Sequence, residues 1–139
     1  MDSSVAKNRL RVISLVGLII FFGALFAPWS SEDVLRVGAE ISERVVLGVS
    51  GWRINAGGLP AWSALIPAFC VALLSFCSAG VWRAVTATIL NGMMIAMILM
   101  LNSWAWGAVV AIFTASLVQL AWTVELRRAG QAADTNEQS

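Results

Sequence analysis

Histidine, the residue that most often does acid–base chemistry in proteins, is absent from this chain of 139 residues. It is the commonest metal ligand and the usual general base near neutral pH. Without it there is no Ser-His-Asp triad, no His-ligated haem and no zinc site of the common kinds. We therefore expect no catalytic, cofactor-binding or metal-binding residues, and we interpret the protein as a non-enzyme.

Sulfur-containing side chains are the groups that would hold a soft metal. Cys70 and Cys77 are seven residues apart in one apolar stretch. On a helix that separation is about 10.5 Å, too far for a disulfide, which needs Cα atoms within about 7 Å. Met93, Met97 and Met100 fall on one helical face, and such ligands select Cu(I). Methionine and buried cysteine are also ordinary packing residues, so packing is the favoured interpretation and copper the alternative.

Carboxylates provide the remaining route to catalysis. Four of them occur in one polar stretch: Glu32, Asp33, Glu40 and Glu43. A carboxylate pair can divide the roles of acid and base, but no nucleophile–base arrangement accompanies it here. A solvated acidic loop is the favoured interpretation, and an enzyme is the third of our functional hypotheses.

The composition excludes a soluble domain. The chain is 59% hydrophobic and 12% charged, with a mean hydropathy of +0.81. Soluble domains are about 45–50% apolar and about 25% charged, and a disordered chain needs the opposite composition. The net charge of +1 provides no basic field for nucleic acid, which is excluded as a partner.

Long apolar stretches without Asp, Glu, Lys or Arg indicate membrane-spanning helices. A span needs about 17–25 apolar residues, and only a helix satisfies its own backbone in lipid. Four such stretches occur, at Val12–Ala27, Ala61–Ala79, Ala84–Leu101 and Trp104–Val124. They predict four helices over about 11–28, 60–80, 83–101 and 104–125, with Pro67 as a kink in the second,. The predicted fold is an all-α membrane protein, one four-transmembrane-helix domain (1–139) with a small extracytoplasmic β-sheet in its first loop.

The distribution of basic residues predicts the orientation. Six of them would share one side, Lys7, Arg9, Arg11, Arg83, Arg127 and Arg128. By the positive-inside rule that side is cytoplasmic. We therefore expect a multi-pass protein of the cytoplasmic (inner) membrane, with an uncleaved first helix and both termini cytoplasmic. The polar head (1–6) and tail (129–139) are predicted to be disordered.

Tryptophan is concentrated at the predicted helix ends. Four tryptophans mark outer ends and two mark inner ends, which predicts two interfacial belts: Trp29, Trp62, Trp104 and Trp106 outside, Trp82 and Trp122 inside. Trp52 alone lies away from a helix end, within the first loop.

The first loop, 29–59, alternates in polarity. Between Leu35 and Ser50, seven of the eight odd positions are apolar and seven of the eight even positions are not. This period of two is typical of strands with one buried face. A helix behind a Ser31 cap is the alternative. We prefer two strands that turn or bulge near Ser42-Glu43, a third short strand at 51–55, and a sheet that rests on the outer helix ends.

Small and polar residues predict how the helices pack. Alanine, glycine or threonine recurs every four positions in three helices, which permits close backbone approach in lipid: Ala64, Ala68 and Ala72; Ala84, Thr88, Gly92 and Ala96; Gly107, Ala111 and Ala115. A tight turn at Asn102-Ser103 would place Asn91 opposite Thr114. It would also place Thr86 opposite Gln119, and each such interhelical bond is worth about 0.6 kcal/mol.

The order of one helix, a long loop and three further helices, with Trp29 and Gly51-Trp52 in the loop, resembles the claudin-like tetraspans. In that family the loop forms a small sheet on the bundle. The leucine of its Gly-Leu-Trp motif and its two loop cysteines have no counterpart here. The motif Ala27-Pro28-Trp29-Ser30 and the arginine at position 83 are similar to small bacterial four-helix proteins that include the actinobacterial tryptophan-operon-associated membrane proteins. This resemblance covers most of the chain and implies the fold but no known activity.

The leading functional hypothesis is a non-catalytic accessory or scaffolding subunit of a larger membrane complex. Its partners would be membrane lipids and other integral membrane subunits, with Trp29, Trp52 and Arg53 as candidate partner-binding residues. One alternative is a protein that binds a lipid or small hydrophobic ligand between the sheet and the outer helix ends. A transporter component is a further alternative, against which stands the absence of Asp, Glu, Lys, Arg and His within the four apolar stretches,.

Overall fold

A computed structural model describes residues 3–37, 42–56, 58–78, 80–101 and 105–137. Most of these residues are helical. The helices are α1 (Ser3–Ala24), α2 (Leu65–Leu74), α3 (Val81–Leu99) and α4 (Trp106–Glu137). A 3-10 turn, Ala61–Ala64, leads directly into α2. The strands are β1 (Pro28–Val37), β2 (Ser42–Ser50), β3 (Asn55–Ala56) and β4 (Leu59–Pro60).

The helices pack side by side in a ring. Helix α1 contacts α2 and α4, and α3 contacts the same two helices. One end of the ring carries Arg11, Arg83 and Glu125, and we call it the arginine end. The opposite end carries Trp29 and Gly107, and we call it the hairpin end.

Small residues line the contacts much as the sequence predicts. The predicted stripes of α2 and α4 are buried along their whole length. The stripe of α3 begins buried at Ala84, but Ala96 is exposed. A strict spacing of four drifts off a helix face of 3.6 residues per turn. The buried side of α3 instead follows spacings of three and four, through Ala84, Ala87, Asn91, Met94 and Ile98.

Membrane-spanning length and composition are met by two helices in the described part of the chain. They are Val81–Leu99, and Trp106–Thr135 within α4. The apolar helix Ala61–Leu74 is shorter. Helix α1 is 22 residues long but carries Lys7, Arg9 and Arg11 in its first half. The two apolar helices indicate a membrane protein.

Both predicted disordered ends are wrong over the described residues. Helix α1 begins at Ser3, within the predicted head, and α4 continues through the predicted tail to Glu137. Nucleation is the costly step of helix formation, so a helix already built against the core adds further residues readily. The polar segment after Arg128 contains alanine and no proline, and nothing in it stops the helix. At its other end α1 stops at Ala24, and not near residue 28 as predicted. The reason is Pro28, because the backbone before a proline disfavours the helical conformation.

Helix α2 is shorter than its apolar stretch. The prediction of a helix over 60–80 is wrong beyond Leu74, where the chain enters a turn. Pro67 lies in the first turn of α2, directly after the 3-10 segment. Its missing N–H has no helical partner to lose there, so it marks a helix start and not a kink in the middle of a span.

The first loop contains a β-hairpin. Strands β1 and β2 pair antiparallel, with Val34 opposite Val45 and Val37 opposite Ser42. Ser42 and Glu43 are therefore strand residues and not a turn, and residues 38–41 lie outside the described part of the chain. The predicted third strand at 51–55 is also displaced, because Gly51–Arg53 form a turn and β3 pairs with β4 in a separate small hairpin. The predicted apolar face of the main hairpin concerns side chains outside the described part.

Trp29 organises the hairpin end. Its side chain is fully buried, its Nε1 donates to the carbonyl of Ala24 at 2.7 Å, and its ring meets Phe21 edge-on. A Cβ on Gly51 or Gly107 would lie within 2.9 Å of the indole. Glycine is required at both positions because a larger residue would occupy the space of the ring.

The predicted tryptophan belts are wrong for two tryptophans and stay a prediction for the exposed ones. Trp62, Trp82 and Trp106 are exposed, as residues of an interfacial belt would be. Trp29 and Trp122 are instead core residues with 0% exposure. Trp104 lies outside the described residues. Hydropathy cannot separate the two roles, since an indole suits either an interface or a core that offers its N–H a partner.

Candidate functional site

The turn after α2 leaves backbone carbonyls that no helix can pair. The amides of Ser75, Phe76 and Cys77 bond back to the carbonyls three residues earlier, and the Ser75 hydroxyl donates to the carbonyl of Ala72. Such local side-chain bonds compete with a continuing helix. The carbonyls of Ser75 and Cys77 then need other donors, because a buried unpaired carbonyl costs free energy.

Arg83 supplies one of these donors from the first turn of α3. Its Nη1 donates to the carbonyl of Cys77 at 3.1 Å, and its Nη2 lies 2.7 Å from Oε1 of Glu125 on α4. The guanidinium carbon stands 5.3 Å from the centre of the Trp122 ring. The Arg83 side chain is 1% exposed and that of Glu125 is 19% exposed. A planar guanidinium suits this site because it can bond in its plane and stack on a ring at once.

Arg11 supplies the second donor from α1. Its Nε donates to the carbonyl of Ser75 at 3.3 Å, and its guanidinium carbon lies 5.1 Å from the centre of the Phe76 ring. Cations are favourable at the carboxyl end of a helix, where unpaired carbonyls concentrate negative partial charge. The two arginines therefore terminate α2 and join it to α1, α3 and α4.

Trp122 connects this cluster to the first helix. Its Nε1 donates to the hydroxyl of Ser14 at 3.2 Å, and both residues are buried. The arginine cluster (Arg11, Arg83, Trp122 and Glu125) thus contacts every helix of the ring. Apart from Nε of Arg83, which has no hydrogen-bond partner among the described residues, its polar groups bond to other side chains or to backbone. The cluster therefore joins the helices and includes no nucleophile.

A second polar group lies near the middle of the helices. Nδ2 of Asn91 donates to the carbonyl of Ala115 at 2.8 Å and to Oε1 of Gln119 at 2.9 Å. The predicted pairing of Asn91 with Thr114 is therefore wrong by one residue, and Thr114 bonds to the carbonyl of Val110 in its own helix. Thr86 is half-buried and makes no hydrogen bond to the described residues, so its predicted bond to Gln119 is absent there.

Helix rotation explains why Asn91 bonds to Ala115 and Gln119 instead of Thr114. The predicted turn placed the correct stretches opposite each other, since Asn91 meets Ala115, adjacent to Thr114. One residue along a helix rotates a side chain by about 100°, which is enough to point Thr114 elsewhere. A threonine hydroxyl in a helix also has a partner at hand in the carbonyl four residues earlier.

The space between the helices is nearly filled. A cavity of about 10 Å³ is lined by residues from all of the helices, among them Ser14, Gly17, Asn91 and Thr114. That volume admits the centre of about one water molecule.

The predicted partner-binding residues differ in exposure. Trp29 is wrong as a surface residue because it is fully buried. Trp52 is half-buried, packed edge-on against Phe22 and Phe26 at centroid distances of 5.9 and 5.5 Å. Its Nε1 has no hydrogen-bond partner among the described residues. Arg53 is exposed, so Trp52 and Arg53 remain candidates for contact with a partner.

The sulfur residues gather along one groove. Cys70, Met93, Met97 and Met100 line a space of about 560 Å³ between α2 and α3, together with apolar residues. Cys77 is exposed outside it. No group of three or more His, Cys, Asp or Glu residues that could hold a metal occurs in the described chain.

Comparisons of the chain with known protein families, with curated proteins and with solved structures found no match.

Glu125 is the site residue that the sequence interpretation missed. It follows the fourth apolar stretch directly and is the first acidic residue there. The predicted antiparallel pairing of α3 and α4 already placed this position close to Arg83. The signal was therefore present in the sequence, as opposite charges at matching depth on neighbouring helices.

Proposed function

We propose that the chain is a four-transmembrane-helix protein that acts as a non-catalytic accessory or scaffolding subunit of a larger membrane complex. In this arrangement the arginine end faces the cytoplasm and the β-hairpin lies outside. The protein would be a tetraspan of a bacterial inner membrane, as its resemblance to small bacterial four-helix proteins implies.

The filled interior is the observation that supports this proposal. A cavity of about 10 Å³ offers no room for a substrate or a transport path, so a transporter role for the chain alone is disfavoured. The interior polar groups at Asn91 and Arg83 are also engaged with partners inside the chain. What the protein can offer to other molecules is therefore its outer surface.

Two surfaces are the candidates for contact with a partner subunit. The first is the groove between α2 and α3, with Met93 at its exposed edge. Methionine side chains adapt their shape to a partner, and close packing is what holds helices together in lipid. The second is the turn after β2, where Arg53 is exposed beside Trp52.

The proposed orientation is tested with a membrane-impermeant maleimide. Cys77 is exposed at the arginine end, so it should react in inverted vesicles and not in intact cells. The variant Arg53→Cys, made together with Cys77→Ser, should react in intact cells. Labelling of Cys77 in intact cells would contradict the orientation.

The proposed subunit role is tested by photo-crosslinking in native membranes. A photoreactive residue in place of Met93 or of Arg53 should give a discrete crosslinked species of higher mass. The matched control replaces Phe113, an equally exposed apolar residue on α4, and should give none. If no position yields a discrete species, or if Phe113 yields the same one, the subunit proposal fails.

A further inference from the structure

A groove at the arginine end combines an apolar floor with cationic walls. It lies between α1 and α4 and has a volume of about 460 Å³. Its apolar lining includes Leu10, Ile13, Leu120 and Val124. From the first α4 residue of the lining to the last the groove extends about 16 Å, at 1.5 Å of helix rise per residue.

Two arginines border this groove from opposite helices. Arg9 belongs to α1 and Arg128 to α4, and both are exposed. Neither forms an ion pair with any residue that the structure describes. Glu125 also borders the groove, but its carboxylate is engaged by Arg83 at 2.7 Å. The groove therefore carries uncompensated positive charge next to an apolar surface.

We propose that this groove is a binding site for an anionic phospholipid, with the acyl chain along the apolar floor and the phosphate between Arg9 and Arg128. A basic pocket between membrane helices on the cytoplasmic side is suited to such headgroups. A zwitterionic lipid would leave the excess positive charge unneutralised. The site rests on the membrane placement proposed above and not on the presence of a partner subunit.

Native mass spectrometry of the full chain in detergent tests the headgroup contacts. The probes are phosphatidylglycerol and phosphatidylcholine with the same acyl chains. Arg9→Gln and Arg128→Gln should each weaken phosphatidylglycerol binding about fivefold, the factor that corresponds to about 1 kcal/mol per basic residue. The double variant should lose the preference for phosphatidylglycerol.

Arg127→Gln is the matched control. It removes the same charge from the neighbouring position of α4, is also exposed, and does not line the groove. Its effect should be below twofold. An equal loss in Arg127→Gln and Arg128→Gln would overturn the site in favour of diffuse attraction. Wild-type protein that binds both lipids equally would overturn the proposed selectivity.

The apolar floor is tested separately. Leu120→Trp should fill the groove and reduce binding of both lipids with the arginines intact. Phe113→Trp, at an exposed position of α4 outside this lining, should leave binding unchanged. Unchanged phosphatidylglycerol binding in Leu120→Trp would overturn the proposal. Because the purified chain is used alone, this result is independent of the crosslinking result above.

Discussion

The two ends of the helix ring use different side chains to supply hydrogen-bond donors to buried backbone carbonyls. At each end the chain leaves a helix, and the buried carbonyls that result need donors. The hairpin end uses neutral groups: the Trp29 indole donates to Ala24, and the amide of Ala105 donates to the carbonyl of Trp29. The arginine end uses guanidinium groups of Arg11 and Arg83 on the carbonyls of Ser75 and Cys77.

The difference lies in what each solution demands of its surroundings. An indole carries no charge, so the hairpin end needs only space, which Gly51 and Gly107 provide. A buried guanidinium carries a charge that costs free energy unless it is paired. The arginine end therefore also needs Glu125 and the Trp122 ring. Steric fit around Trp29 stabilises the hairpin end, and the pairing of charges stabilises the arginine end.

Breaking the charge balance should have the largest effect. Glu125→Leu leaves Arg83 buried without its counter-charge and should lower the free energy of unfolding by about 3–5 kcal/mol. The double variant Arg83→Met/Glu125→Leu should recover more than half of that loss, because no buried charge is left unpaired. Unfolding in mixed micelles, followed by tryptophan fluorescence, measures both. If the loss of stability in the double variant equals the sum of the losses in Arg83→Met and Glu125→Leu, the two residues are not coupled.

Filling the space at the hairpin end should have an intermediate effect. A Cβ on Gly107 would lie 2.7 Å from the carbonyl oxygen of Pro28, so Gly107→Ala should cost about 1–3 kcal/mol of stability. Gly92→Ala is the matched control, because its Cβ would meet nothing within 4 Å. It should be neutral or stabilising by up to about 1 kcal/mol through helix propensity. Equal effects of the two substitutions would show that the close contact of Gly107 with Pro28 and Trp29 does not stabilise the hairpin end.

The region between the two ends should respond least. Asn91→Leu removes the bonds to Ala115 and Gln119, and interhelical bonds of this kind average about 0.6 kcal/mol and rarely exceed about 1.7 kcal/mol. Thr86→Val should stay within about 0.5 kcal/mol of the wild type. The same unfolding measurement distinguishes them. A larger loss in Thr86→Val would favour the pairing expected from the sequence over the one observed.

Much of the architecture is readable from residue types. The apolar stretches place all of the helices. The alternation between Leu35 and Ser50 predicts a strand where β2 forms, but it covers only the last three residues of β1. The helix ends are less well predicted: α2 ends at Leu74 although its apolar stretch continues, and α4 runs on to Glu137 through polar residues. Hydropathy indicates whether a residue prefers water or an apolar environment. It does not determine which carbonyl accepts the hydrogen bond from that residue's backbone amide.

The candidate site was predicted less well than the fold. Trp29 was expected on the surface and lies in the core, whereas Trp52 and Arg53 stay accessible to different degrees. Arg83 was interpreted as an orientation signal and as part of a resemblance, although it is the centre of a buried cluster. A side chain's role depends on the neighbours it meets, and for these residues the neighbours are far away in sequence.

The sequence by itself indicated an apolar environment and excluded chemistry that needs histidine. Both follow from composition, because transfer free energies and ligand chemistry are properties of residue types. Tertiary structure alone decided which residues meet. Arg83 and Glu125 are 42 positions apart, and Ser14 and Trp122 are 108 apart. Such pairs form only when the rotation and depth of whole helices are set by packing, which no local pattern contains.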